Sequence, residues 1–210
     1  MNLRFEAAWE IHQFLTAHKI PYAIIGGTAL PRWGEPRFTK DVDLVTMIPL
    51  EEGAEPFARL VLGHFSERPD PRRPDPIAFA RQKRMILIRA SNGCDVDISL
   101  GVPGYEDEVM RRAVDFELEP GKVVRVCSAE DLIIHKCVAG RPQDLADVDG
   151  ILIRQRDKID STYIRKWLGT LSELAMKPEI VDRFERAWQA VRRSTPRKAR
   201  KPLQRPRRKK

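Results

Sequence analysis

The chain has 210 residues, 42% hydrophobic and 32% charged, with a formal net charge of +8. That length buries a sizeable core in one or two domains. No apolar run approaches the roughly 18 residues of a bilayer span, which argues against a membrane protein. Met1 to Trp9 lacks the basic-then-apolar pattern of a secretory signal. Cys94, Cys127 and Cys137 form no C-x-x-C pair, and His12, His18, His64 and His135 are scattered. A disulfide framework and a zinc centre are therefore not expected, and a reducing cytoplasm is.

The charge is unevenly spread. Residues 192–210 hold eleven Lys/Arg and no acid; subtracting them from the 38 bases leaves 27 against 30 acids, a net of −3 for the rest. A mildly acidic domain thus carries a basic tail. With Pro196, Pro202 and Pro206 and almost nothing apolar, the tail is expected to be disordered and to bind polyanions through charge alone.

Residues 3–18 have helical spacing, with Ala7, Ala8, Ile11, Phe14 and Leu15 on one face. Pro21 precedes a strand over 22–25, Gly26-Gly27 turns the chain, a short helix covers 28–33, and a strand follows over 42–47. Pro49 with Glu51 and Glu52 marks a helix start, with Phe57, Leu60 and Val61 as its buried face. Residues 66–76, with four prolines among charges, read as a loop. Segments 84–90 and 94–100 flank Ser91-Asn92-Gly93, a strong hairpin signal. A helix over 105–114 and a second hairpin around Pro120-Gly121 follow.

Ser128-Ala129-Glu130-Asp131 resembles a capping box, with Asp in the usual Glu position, and opens a helix to Ala139. Gly140-Arg141-Pro142 breaks it. Further helices cover about 143–156, from the Asp160-Ser161 cap to about 175, and from Pro178 to near Arg193. Trp167 and Trp188 fall on apolar helix faces and read as core. The expected architecture is α+β: a mixed sheet flanked by helices over 1–127, a helical region over 128–193, and the tail over 194–210.

Asp41-Val42-Asp43 starts a strand. Side chains two apart on a strand share a face, so the carboxylates converge while Val42 and Leu44 mark the strand as buried. Acids entering a buried strand require a metal, Lys or Arg. Asp95-Val96-Asp97 repeats the pattern on a later strand, and the Gly pair allows close backbone approach to phosphate. Three carboxylates beside such a turn suit two divalent cations and phosphoryl or nucleotidyl transfer.

Ile25-Gly26-Gly27, thirteen residues, then Asp41-Val42-Asp43-Leu44 resembles the signature of nucleotidyltransferases of the DNA polymerase β-like superfamily. The third acid of that superfamily lies on a later strand, where Asp95 and Asp97 both qualify; the Val-Asp-Ile context favours Asp97. Lys136, Arg141, Asp144 and Asp147 resemble the late motif of the AbiEii/MenT-type, toxin-like branch.

The resemblance implies a minimal nucleotidyltransferase fold and transfer of NMP from an NTP, ATP among the candidates. It implies Asp41, Asp43 and Asp97 as ligands of Mg²⁺ or Mn²⁺, with Asp97 assisting removal of the acceptor proton. Gly26, Gly27 and Thr28 would bind phosphate, and Lys136 would neutralise the triphosphate. Lys40 and Arg141 would contact the nucleotide, and Asp144 would lie near nucleotide or acceptor with no chemistry assigned to it. The implied partners are an RNA or tRNA acceptor and a cognate antitoxin. Two other readings stand beside this one: a small-molecule transferase of the antibiotic-modifying kind, and a non-catalytic nucleotide- or RNA-binding protein. The spacer before Asp41 is long for the family pattern, and Lys40 replaces its common Ser.

Overall fold

The computed structural model describes residues 2–48, 53–73, 75–101 and 104–194. The helix start expected at Pro49, Glu51 and Glu52, and nearly all of the basic tail, lie outside these residues. Among the described residues no helix is long and apolar enough to cross a membrane.

In chain order the elements are α1 (Leu3–Ala17), β1 (Tyr22–Ile24), α2 (Gly26–Trp33), β2 (Asp41–Met47), α3 (Ala54–Leu62), β3 (Ser66–Glu67) and α4 (Pro76–Lys83). Then come β4 (Met85–Arg89), β5 (Asp95–Gly101), α5 (Tyr105–Arg112), β6 (Val114–Glu119) and β7 (Lys122–Val126). Helices α6 (Ala129–Ala139), α7 (Pro142–Gln155), α8 (Ser161–Ala175) and α9 (Glu179–Ser194) close the described chain. One mixed sheet runs in the order β3-β4-β5-β2-β1-β7-β6. The two turns expected from Asn-Gly and Pro-Gly join β4 to β5 and β6 to β7, with Gly93 and Gly121 at positive φ.

The pairing of β2 with β5 decides where the chemistry sits. These strands are parallel and in register, Asp41 opposite Asp95 and Asp43 opposite Asp97. Val42, Leu44, Val96 and Ile98 are fully buried on one face. Period two sends all four aspartates to the other. From Leu44 onward β2 is buried on both faces, so the acids occupy the end of the sheet where cover is missing.

The C-terminal helices are tied to α2 by directional bonds. Trp33 Nε1 donates to the carbonyl of Cys127 (2.7 Å), Gln155 Nε2 to that of Trp33 (2.6 Å), and Arg154 Nη1 to that of Gly34 (2.8 Å). One cluster of buried side chains spans Ile24, Val126, Leu132, Ile151 and Phe184. Trp167 and Trp188 pack against it, as expected. Ser128 caps α6, accepting the Asp131 N–H while its hydroxyl donates to the Asp131 carboxylate at 2.6 Å.

Two local expectations need correction. Residues 66–76 are not only loop: Ser66–Glu67 pairs with β4, and Pro76 opens α4. The Asp75 side chain accepts the N–H groups of Ile77 and Ala78, so the Asp-Pro pair works as cap plus first turn. Leu60 is 40% exposed; Phe57, Ala58 and Val61 form the buried face of α3.

All three cysteines are free and buried, and burial raises each thiol above its ordinary value. The native protein should therefore resist a thiol-exchange reagent at pH 8, and all three thiols should titrate once denaturant is added. Rapid labelling of the native chain would contradict this packing.

Candidate active site

Asp41, Asp43 and Asp97 line a cavity of about 410 Å³, together with Gly27, Arg37, Thr39, Lys40, Lys136 and Arg141. Of the two acids on β5, Asp97 is the one that lines it. Asp95 stands at its edge, held by Arg89 (2.9 Å) and within 3.6 Å of Arg68. Asp97 accepts from Arg68 Nη1 at 2.6 Å. Asp41 accepts from the Thr39 hydroxyl at 2.8 Å.

Asp43 is the most strained of the group. Burial, then the neighbouring charges of Asp41 and Asp97, push its carboxyl up to about 6, against the pull of Lys136 and Arg141. Burial also raises Asp97, and Arg68 offsets part of that. The backbone accommodates Asp43 closely: Gly26 has φ 63°, and a Cβ there would collide with the Asp43 carboxylate. A Cβ on Gly27 would lie 2.8 Å from the Thr39 side chain. The Gly pair thus clears space for Asp43 and Thr39 while placing the N-terminus of α2 at the acids. The hydroxyl of Thr28, expected to meet a phosphate, is instead buried and donates to the Asp41 carbonyl (3.4 Å), which supports the strand.

The opposite wall is an alternating chain of charges. Lys136, 3% exposed, donates to Asp144 Oδ1 at 3.0 Å and lies 2.8 Å from Asp147 Oδ2. Arg37 grips Asp147 with two nitrogens, each at 2.8 Å. Arg141 Nε donates to Asp144 Oδ2 at 2.6 Å, and its backbone N–H is capped by the same carboxylate. Burial alone would raise Asp144, but the hydrogen bonds from Arg141 and Lys136 prevail and hold it below its ordinary value. The lysine read from sequence as a free point charge is therefore a bridge between two buried carboxylates. Asp144, left without a role, is a cap and a counter-ion. Three cations against two acids leave this wall net positive.

Arg37, Thr39 and Arg68 were not identified from sequence. Arg37 and Thr39 lie within the spacer before Asp41, where their proximity to the acid pair was the available signal. Arg68 sits in the proline-rich segment and had none.

The donor set suits a hard cation. The acids facing the cavity offer carboxylate oxygens, and no His or Cys lines it. Among the described residues no three ligand-type side chains already stand at metal-cage spacing. Mg²⁺ does not require such a cage, since it takes one or two carboxylates and completes its shell with water and substrate phosphate.

Comparison with known proteins gives a family. The family described as "Nucleotidyl transferase AbiEii toxin, Type IV TA system" matches residues 14–201. No curated protein sequence matches. Among solved structures, an antigenic nucleotidyltransferase-like protein from Paracoccidioides brasiliensis aligns over 86% of this chain and 91% of its own, at 19% identity and a TM-score of 0.49.

Two predictions follow from the charges. The folded protein holds a proton on Asp43 between about pH 4 and 6 that the unfolded chain has lost, so stability falls as pH rises through that window. Asp43→Asn removes this penalty. In metal-free buffer at pH 7.5 it should stabilise the fold by on the order of 1–2 kcal/mol after allowance for partial exposure, an advantage that vanishes below about pH 4. Thermal melts across pH with and without the substitution check this. Lys136→Met should cost about 3 kcal/mol in urea unfolding, because it removes the buried cation shared by Asp144 and Asp147 and leaves each with only its arginine. Arg141→Met, at a side chain 75% exposed, should cost less than about 1 kcal/mol.

Proposed function

The chain belongs to the AbiEii family of nucleotidyltransferase toxins of type IV toxin–antitoxin systems, and from that premise we propose that it transfers NMP from an NTP to a hydroxyl of RNA, tRNA foremost, in the cytoplasm and under restraint by a cognate antitoxin. The observation that supports this most is the in-register β2–β5 pair, which aims Asp43 and Asp97 into the same cavity as Asp41, Lys136 and Arg141.

Asp41, Asp43 and Asp97 would hold two Mg²⁺ or Mn²⁺ ions. When bound, these would supply positive charge at the acceptor hydroxyl and at the leaving pyrophosphate. The elevated Asp43 carboxyl fits that role, since crowded acids gain most from a cation. The backbone of Gly26 and Gly27 receives phosphate oxygens at the start of α2. Exposed Lys40 and Arg141 supply the outer phosphate contacts. Arg37 and Lys136 fix the positive wall in place through Asp147 and Asp144. In the reaction the acceptor oxygen bonds to the α-phosphorus, the bond from that phosphorus to the β-phosphate bridge breaks, and pyrophosphate leaves. Asp97, whose Oδ1 accepts from Arg68, assists removal of the acceptor proton, which leaves to solvent.

An antibiotic-modifying transferase calls for an acidic extension beside the metal site. The adjoining cavity instead carries Arg4 and Lys40 and no acid, which favours a polyanionic acceptor.

Incubation with each radiolabelled NTP, Mg²⁺ and total RNA tests the reading. Label should enter RNA with wild type and fall by at least about 10³-fold with Asp43→Ala, the scale of losing a transition-state charge contact. Equal labelling by both proteins would remove Asp43 from the mechanism, and failure of every NTP would favour a binding protein.

A further inference from the structure

A second cavity, about 650 Å³, adjoins the first, and none of the aspartates lines it. Asn2, Leu3 and Arg4 line one side, Asn92, Gly93 and Cys94 another, and Phe38, Thr39 and Lys40 the wall it shares with the first cavity. Phe38 is 75% exposed. Isolated surface aromatics are common, but this one is held in place. Arg37 is clamped by Asp147 and donates from Nη1 to the Phe38 carbonyl at 3.2 Å, while Thr39 is tied to Asp41. The Arg4 guanidinium stands 5.8 Å from the centre of the ring. The floor is equally fixed: Asn92 Nδ2 donates to the Leu3 carbonyl at 2.7 Å, and Ser91 to Glu10 at 2.8 Å. The lining thus combines an exposed ring on a tethered stretch of backbone with two cations, and among the described residues no carboxylate lines it.

We infer that this cavity is the acceptor subsite: it takes the terminal nucleotides of a single-stranded RNA, with a base stacked on Phe38 and a flanking phosphate on Arg4. The inference rests on the nucleotidyl-transfer reading for the identity of the neighbouring site. Aromatic stacking with basic flanks is the general equipment for holding single strands without reading sequence. A strand running along this wall presents its terminal sugar hydroxyl to Asp41 and Asp97. The smaller cavity, with the Gly pair and the positive wall, is left to the triphosphate.

Binding separates this from the chemistry. The full-length protein, without NTP or metal and in about 0.2 M salt to mute the tail, is titrated into a fluorescein-labelled single-stranded RNA of about eight nucleotides carrying a 3′-deoxy end. Anisotropy should show Phe38→Ala weakening binding about tenfold or more, with Phe38→Trp close to wild type. Arg4→Ala should weaken it less and flatten the salt dependence by about one charge. NTP binding by Phe38→Ala should fall far less than its RNA binding. The tail is common to every variant, so its contribution cancels. Unchanged RNA affinity in Phe38→Ala overturns the inference. So does loss of NTP affinity instead, which puts the nucleotide's own base on the ring, and so does transfer of label to a protein in place of RNA. If Phe38→Ala still transfers NMP with an unaltered KM for RNA, the subsite falls and the transferase stands. If RNA binding depends on Phe38 while no NTP is ever incorporated, the subsite stands and the transferase falls.

Discussion

Four carboxylates on one face of two neighbouring strands repel each other, and most of the molecule around them is arranged to tolerate that repulsion. The parallel register of β2 and β5 leaves the acids no way to separate, because Val42, Leu44, Val96 and Ile98 lock the other face into the core. Arg89 and Arg68 take the outer pair, and Thr39 donates to Asp41. Among the described residues Asp43 has no such hydrogen-bonded partner, and it bears the penalty in its raised carboxyl. Stability is given up at one residue in a cleft, a pattern that is common at functional sites.

The facing wall solves a different problem. Lys136, Asp144 and Asp147 are all buried, and any one of them alone would be costly. Together with Arg37 and Arg141 they form an alternating chain that joins the spacer before β2 to the end of α6 and the start of α7. The acids in that chain satisfy the cations enough to bury them and leave a surplus of positive charge toward the cavity. The two walls therefore oppose each other in sign across one cavity.

Much of this was legible because it rests on local rules. Period two put Asp41 beside Asp43 and Asp95 beside Asp97, and Asn92-Gly93 gave the hairpin that delivers β5. The caps at Ser128 and Asp160, the stop at Gly140 and the core positions of α1 were likewise visible. What escaped depends on distance. Arg37 and Arg68 act through partners 110 and 29 residues away, and no local pattern announces an arginine's partner. The bond from the Thr28 hydroxyl to the Asp41 carbonyl likewise depends on tertiary folding. The helix α4 was hidden by prolines, although Asp75-Pro76 carried its start signal. The choice between Asp95 and Asp97 needed the sheet edge: the β4 strand brings Arg89 beside Asp95.

The docking of α1 has a consequence for how the molecule can be handled. Glu10 and the Leu3 carbonyl fasten the helix to the turn at Ser91 and Asn92, and Asn2 caps it by accepting the Arg4 N–H. The first turn of α1 is therefore a fixed rim of the groove beside the carboxylates. Asn2, Leu3 and Arg4 line that groove, so an affinity tag added at this end should hinder any ligand that enters it.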